Sequence, residues 1–107
     1  MSGRPEAAGA GPATDASPMA LRRSVRITNS RGLHARAAAK LVAVAERFSS
    51  SVTVTRDGET VPANSIMGLM MLGAGVGSEI TIEADGWDAK EALEAVAGLV
   101  EAGFHED

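Results

Sequence analysis

His34 stands where a glycine-containing turn leads into a predicted helix, a position suited to binding an anion. The first turn of a helix has free backbone N–H groups and the positive end of the helix dipole, and both favour a negative charge. A phosphoryl group carried on the imidazole would be held there. Arg36 can bond phosphate oxygens in bidentate fashion, and Gly32 permits the tight turn. These residue types at this spacing are therefore suited to a phosphoryl group on His34, with Arg36 beside it.

An imidazole suits this chemistry because it is partly neutral near pH 7 and offers a ring nitrogen that can attack phosphorus. Phosphoryl transfer depends mainly on alignment and electrostatics, so a carrier needs only a positioned nucleophile and an anion cradle. The alternative from the residues alone is that His34 only caps the helix and that Arg36 is a surface charge. Both interpretations stay open at this point.

The periodicity of apolar residues predicts the elements that position His34. Alternation of apolar and polar residues indicates strands at 24–28, 51–55, 59–61 and 79–83. Spacings of three and four indicate helices at 35–48 and 88–102, and residues 65–72 are apolar enough for a short second helix. Asp88 is placed to cap the last helix or to stabilise its start by charge, and Gly103 lies just past its end. The order βαββαβα predicts an α+β fold with three helices on one face of a four-stranded, mainly antiparallel sheet.

Residues 1–21 are expected to form a disordered leader, and residues 22–107 a single domain. Three of the four prolines fall within residues 1–18, and that stretch shows neither a helical nor a strand period. Met19 follows it directly, so a start at Met19 is the alternative to Met1.

The composition excludes several classes of protein. The chain has 107 residues and no cysteine, so it has no disulfide framework, thiolate metal site or thiol nucleophile. Its longest apolar stretch, residues 66–76, is interrupted by glycines and is shorter than the ~20 residues that span a bilayer. No secretory signal is recognisable. We therefore expect a cytoplasmic protein that does not insert into a membrane.

The charges are unevenly distributed along the chain. Residues 22–56 carry eight basic groups and one acid, whereas residues 79–107 carry nine acids and one lysine, within a formal net charge of -4. This pattern predicts a positive face for an anion or an acidic partner, with a negative face elsewhere. An ordinary solvated surface is the alternative.

Two motifs resemble those of the HPr family of the phosphotransferase system. They are GLHARAAAKL at residues 32–41 and NSIMGLMML at residues 64–72. The resemblance covers residues 24–104, and the βαββαβα order agrees with the family's open-faced β-sandwich. It implies a phosphocarrier that is itself phosphorylated on histidine, not an enzyme, and that needs no cofactor or metal.

By this resemblance, phosphorylated Enzyme I transfers a phosphoryl group to Nδ1 of His34, Arg36 stabilises it, and an Enzyme IIA-type protein accepts it. Ser65 matches the regulatory serine that HPr kinase/phosphatase modifies with ATP, although from the residues alone it could equally be a helix N-cap. The second helix is too short to bury all of its large apolar residues, so one or two, Met70 or Met71, should be exposed to partners. The residues assigned to this interface are Ile66, Leu69, Met70 and Met71.

One departure bears on the branch of the family. Ala37 stands where many members have proline, and with Asn64 it makes the chain similar to the nitrogen-related or alphaproteobacterial branch. Phosphoryl binding should survive because alanine still favours helix. Arg31 also departs from the family pattern and adds positive charge near the site.

Other function classes are disfavoured by what the sequence lacks. An enzyme would need a second catalytic group, a metal cluster or a P-loop, and His105 lies in an acidic tail where it is expected to be solvated. Nucleic-acid binding is disfavoured by the acidic balance and by the absence of tyrosine. A regulatory HPr-like protein that docks without carrying a phosphoryl group remains the alternative.

Overall fold

A four-stranded antiparallel sheet organises the fold in a computed structural model, which describes residues 20–106. Its spatial order is β1-β4-β2-β3, with every neighbouring pair antiparallel. The strands are β1 (Ala20–Arg26), β2 (Ser51–Arg56), β3 (Glu59–Pro62) and β4 (Glu79–Asp85). The helices are α1 (Ala35–Ala45), α2 (Ile66–Met71) and α3 (Ala89–Glu101), followed by a single 3₁₀ turn (Gly103–His105). The predicted order and sheet are therefore confirmed.

The boundaries differ from the prediction most clearly at the start of β1, at the end of α1 and after α3. Ala20 and Leu21, expected in the leader, pair with Asp85 and Ala84 in the sheet, so the leader prediction was wrong for these two residues. The rest of that leader, including Met19, lies outside the described residues. Helix α1 ends at Ala45 instead of residue 48, and the 3₁₀ turn was not predicted. Within residues 20–106 no helix is long and apolar enough to cross a membrane.

The core lies between the sheet and the helices, as the alternation predicted. Every second residue of the central strands is buried, and so is one stripe of α3. Each fully buried Val, Leu or Ile contributes about 1.5–3 kcal/mol. The buried residues at apolar positions of the predicted strands and helices include Val25, Ile27, Ala38, Leu41, Ala45, Val52, Val54, Ile80, Ile82, Ala92, Leu93, Val96, Leu99 and Val100.

Asp88 joins the start of α3 to the loop before β2, in a different way from the predicted cap. Its side chain makes no capping hydrogen bond to α3. Instead it accepts hydrogen bonds from the Ser49 N–H at 2.8 Å, the Ser50 N–H at 2.9 Å and the Ser50 hydroxyl at 2.5 Å. The Ser50 hydroxyl, with the backbone N–H groups, lowers the pKa of Asp88 against the opposing effect of burial. The ionised carboxylate therefore ties two segments together.

We expect Asp88→Asn to destabilise the fold at pH 7 and the difference from wild type to shrink as the pH falls. A lowered pKa in the folded state gives stability that is present above the unfolded pKa, about 3.9, and that is lost as the pH falls through the folded pKa. Urea unfolding between pH 7 and pH 3 would measure this. Asp57→Asn is the control, because the Asp57 side chain is 84% exposed. A constant difference at every pH would contradict this role of Asp88.

Candidate functional site

His34 is the N-cap residue of α1, but its ring makes no hydrogen bond to that helix. Its backbone is extended, with φ −75° and ψ 177°, and its side chain makes no capping hydrogen bond. The first helical hydrogen bond runs from the Ala38 N–H to the His34 carbonyl at 2.9 Å. The N–H groups of residues 35–37 therefore have no acceptor within the helix. They form an anion-binding end beside the imidazole.

Gly32 fixes the path of the chain into the site. Its φ is +64°, and a Cβ there would lie 2.4 Å from the Ala74 carbonyl oxygen and 2.8 Å from the Gly75 Cα. The next residue, Leu33, donates its N–H to that same Ala74 carbonyl at 2.9 Å. Only glycine fits this close backbone approach without a shift, so the predicted glycine turn is confirmed.

Glu106 contacts the imidazole directly, a contact that the sequence did not predict. His34 Nε2 lies 2.6 Å from Glu106 Oε2. The other carboxylate oxygen, Oε1, accepts from Asn29 Nδ2 at 3.1 Å, and the same nitrogen donates to the Gly32 carbonyl at 2.9 Å. Because a carboxylate only accepts, we assign the proton of the neutral ring to Nε2, which leaves the lone pair on Nδ1.

The charge of Glu106 is stabilised by this arrangement. Burial raises the pKa of Glu106, but hydrogen bonds from His34 and Asn29, together with the charges of His34 and Lys40, more than offset it. The pKa of this carboxyl therefore lies below its usual range. Glu106 is ionised near neutral pH and can stabilise positive charge that develops on the imidazole.

Residues 103–106, which we call the closing segment, bring Glu106 to His34. Phe104 is fully buried and anchors the segment in the core. Lys40 of α1 donates through Nζ to the Phe104 carbonyl at 2.7 Å. Phe104 and His105 both have positive φ, 57° and 58°. The chain thus reverses just past α3 and returns over the start of α1.

The site opens into a cleft of about 250 Å³ in which basic residues predominate. Three of its lining residues carry a fixed positive charge, and the predicted site residue Arg36 is among them. The full lining is Arg31, His34, Arg36, Lys40, His105 and Glu106. Such a cleft favours a phosphoryl dianion.

The two charged stretches of sequence meet at two places in the fold. Arg22 of β1 lies 3.2 Å from Glu83 of the paired strand β4, and Arg23 lies 2.9 Å from Glu101 of α3. These pairs are exposed and contribute little to stability. The positive charges placed to attract an anion near His34 are those of Arg31, Arg36 and Lys40, which line the cleft.

Comparison with known proteins agrees with this site. A family model described as "PTS HPr component phosphorylation site" matches residues 21–102. The chain belongs to the HPr family. It is 50% identical over 86 residues to phosphocarrier protein HPr of Cupriavidus necator, which covers 80% of this chain and 97% of that relative. It is 44% identical over 86 residues to phosphocarrier protein NPr of Shewanella violacea, with 80% and 94% covered.

Solved HPr structures share the fold. HPr of Thermoanaerobacter tengcongensis superposes with a TM-score of 0.78 at 41% identity, covering 81% of this chain and 98% of that one. HPr of Bacillus anthracis gives 0.73 at 47% identity, with 76% and 96% covered. Relatives named HPr and NPr both match, so the family includes nitrogen-related members similar to this chain.

The second HPr motif forms α2, which contacts α1. Ser65 is its N-cap and accepts the Gly68 N–H at 2.9 Å. Met71 is 75% exposed and Met67 is 71% exposed, and Ile66 and Met70 are also exposed. Leu69 is fully buried, so its assignment to the partner interface is wrong, because a residue in the core offers no surface to a partner. Met67 was missed because the period of a six-residue helix does not define its buried face.

Three further residues of the site were missed by the sequence analysis. Glu106 pairs with His34, which is 72 positions away in the sequence, and with Asn29, which is 77 positions away. Lys40 donates a hydrogen bond to Phe104, which is 64 positions away. A periodic pattern or a motif within one segment cannot reveal a contact between residues so far apart in the sequence. His105, expected to be solvated in an acidic tail, is exposed but lines the cleft.

Proposed function

We propose that this chain is a phosphocarrier that accepts a phosphoryl group on Nδ1 of His34 from phosphorylated Enzyme I and passes it to an Enzyme IIA-type protein. The observation that carries the proposal is the 2.6 Å pair between His34 Nε2 and Glu106. It leaves Nδ1 as the nucleophilic nitrogen of the neutral ring. The free N–H groups at the start of α1 and the Arg36 guanidinium are the groups that receive the phosphoryl oxygens.

The transfer step needs no additional catalytic group from this chain. The Nδ1 lone pair of His34 attacks phosphorus on the phosphohistidine of Enzyme I. A new P–N bond forms while the donor's P–N bond breaks, and the donor nitrogen keeps the electron pair. The His34 ring becomes more positive and retains its Nε2 proton, which Glu106 stabilises. Onward transfer to the acceptor is the reverse of this step, with His34 as the leaving group.

Labelling of the wild-type protein tests the proposal. Incubation with Enzyme I and phosphoenolpyruvate should add one phosphate that is labile in acid, and peptide mapping should place it on His34. Stable binding to Enzyme I without an acid-labile phosphate would overturn the carrier role and favour a regulatory HPr-like protein.

We expect Glu106→Gln to slow phosphoryl acceptance about tenfold, the size expected when a hydrogen bond to a charged group becomes a neutral one. The amide can still reach the ring, but it no longer fixes the proton on Nε2. Rapid-quench labelling would measure the rate, and ¹⁵N shifts of the imidazole would show a mixture of tautomers.

Glu101→Gln is the matched control for this prediction, because it removes the same charge from an exposed pair with Arg23. An unchanged rate and an unchanged tautomer in Glu106→Gln would contradict a positioning role.

We also propose that phosphorylation of Ser65 weakens partner binding. A phosphate there would place about two negative charges beside the exposed methionines of α2. Ser65→Asp is expected to raise the Kd for Enzyme I, whereas Ser65→Asn keeps a neutral N-cap and serves as the control. Calorimetric titration would measure both. Equal affinity of the two variants would count against regulation at this position.

A further inference from the structure

His105 has a positive φ within the reversal that brings Glu106 back to His34, and its N–H donates to the Ala102 carbonyl at 3.1 Å. Its φ of 58° follows the 57° of Phe104, and two successive non-glycine residues in the left-handed region are strained. Complete burial of the Phe104 ring offsets the strain at that residue. His105 is exposed, and its side chain has no hydrogen-bond partner within residues 20–106. Glycine would adopt this conformation at less cost.

His105 lies in the basic cleft beside His34. His105 lines it together with His34, and the charged groups facing it are those of Arg31, Arg36 and Lys40 and the carboxylate of Glu106. Both oxygens of Glu106 already accept hydrogen bonds, from His34 and Asn29. Glu106 is the single carboxylate among these lining residues, beside three fixed positive charges. An anion that enters the cleft can therefore accept a hydrogen bond from His105.

We propose that His105 is a further phosphoryl-binding residue, whose protonated ring donates a hydrogen bond to the phosphoryl group on His34. The proposal rests on the phosphocarrier function proposed above. No covalent bond changes at His105, and its proton stays on its own ring. An imidazole gains charge as the pH falls, so we expect this contact to stabilise the phosphorylated form more at pH 5.5 than at pH 8.5. The equilibrium for donating the phosphoryl group is thereby coupled to pH.

A competition between two forms of the protein measures this coupling. Phosphorylated wild type is mixed with an equal amount of unphosphorylated His105→Asn and a catalytic trace of Enzyme I, and the phosphate on each is read by intact mass. Asparagine tolerates the left-handed conformation but carries no charge. At pH 5.5 we expect about a two- to fivefold preference for wild type, the size of an exposed ion pair. At pH 8.5 the preference for wild type should be smaller.

His105→Gly separates the ring from the backbone strain. It relieves the strain and lacks the imidazole, so it should lose the competition at pH 5.5 as His105→Asn does. An even division at both pH values, or a preference for wild type that does not change with pH, would overturn the role of His105. Failure of Enzyme I to phosphorylate wild type in this mixture would instead refute the phosphocarrier function itself.

Discussion

Replacing His34 by alanine is expected to abolish acid-labile phosphorylation while leaving the fold intact. The loss should be at least about 10³-fold, because the nucleophile itself is removed and no other group of the site takes its place. The fold should survive since His34 makes no capping hydrogen bond and its side chain is only partly buried, with 21% exposed. Labelling by Enzyme I and phosphoenolpyruvate measures the first effect, and thermal unfolding the second.

Lys90→Ala is the control for this substitution. Lys90 is exposed in the first turn of α3, about 17 Å along that helix from the end that leads to the closing segment. It should be labelled at the wild-type rate. Undiminished labelling of His34→Ala would contradict the carrier hypothesis. If His34→Ala does not fold, His34→Gln, which is closer to histidine in size and polarity, is tested in its place.

Phe104→Ala is expected to cost about 3–5 kcal/mol of unfolding free energy, the range for deleting a buried aromatic side chain. Phe104 has no exposed surface. It also anchors the closing segment, so its removal should free Glu106 from His34. Phosphoryl acceptance should therefore fall even at temperatures where the variant is fully folded. Urea unfolding and rapid-quench labelling on the same sample would measure the two effects.

Ile82→Ala distinguishes loss of stability from loss of the site. Ile82 is fully buried in β4, and its truncation should cost about 2–5 kcal/mol without touching the closing segment. We expect this variant to keep the wild-type acceptance rate when folded. Equal rates in Ile82→Ala and Phe104→Ala would show that the anchor does not position the site.

The elements could be predicted because their signals are local. Alternation in β2 and β4 and the spacing of α3 were enough to define the sheet and the core. His34, Gly32 and Arg36 fall within five consecutive residues, so one half of the site was visible as a motif. Its geometry at Gly32 then follows from a turn that excludes any Cβ.

The other half of the site was not predictable, because tertiary pairing creates it. Glu106 looked like part of an acidic tail until the reversal after α3 placed it on His34. The same reason explains the charge pattern, since Arg22 and Arg23 are basic in sequence but face acids once β1 lies beside β4 and α3. Leu69 was assigned to the wrong face because a helix of six residues is too short for periodicity to show which side is buried.

The sequence distance between the two halves of the site has a kinetic consequence. A contact between residues 34 and 106 closes a long loop, so it forms late, after the hairpin of β2 and β3 and the local turns of the helices. The closing segment is also joined to the rest of the protein by one buried ring and a few hydrogen bonds. We expect such a unit to open by local unfolding at a free energy well below that of the whole domain. A partner protein would then meet an equilibrium of closed and open sites on one intact sheet.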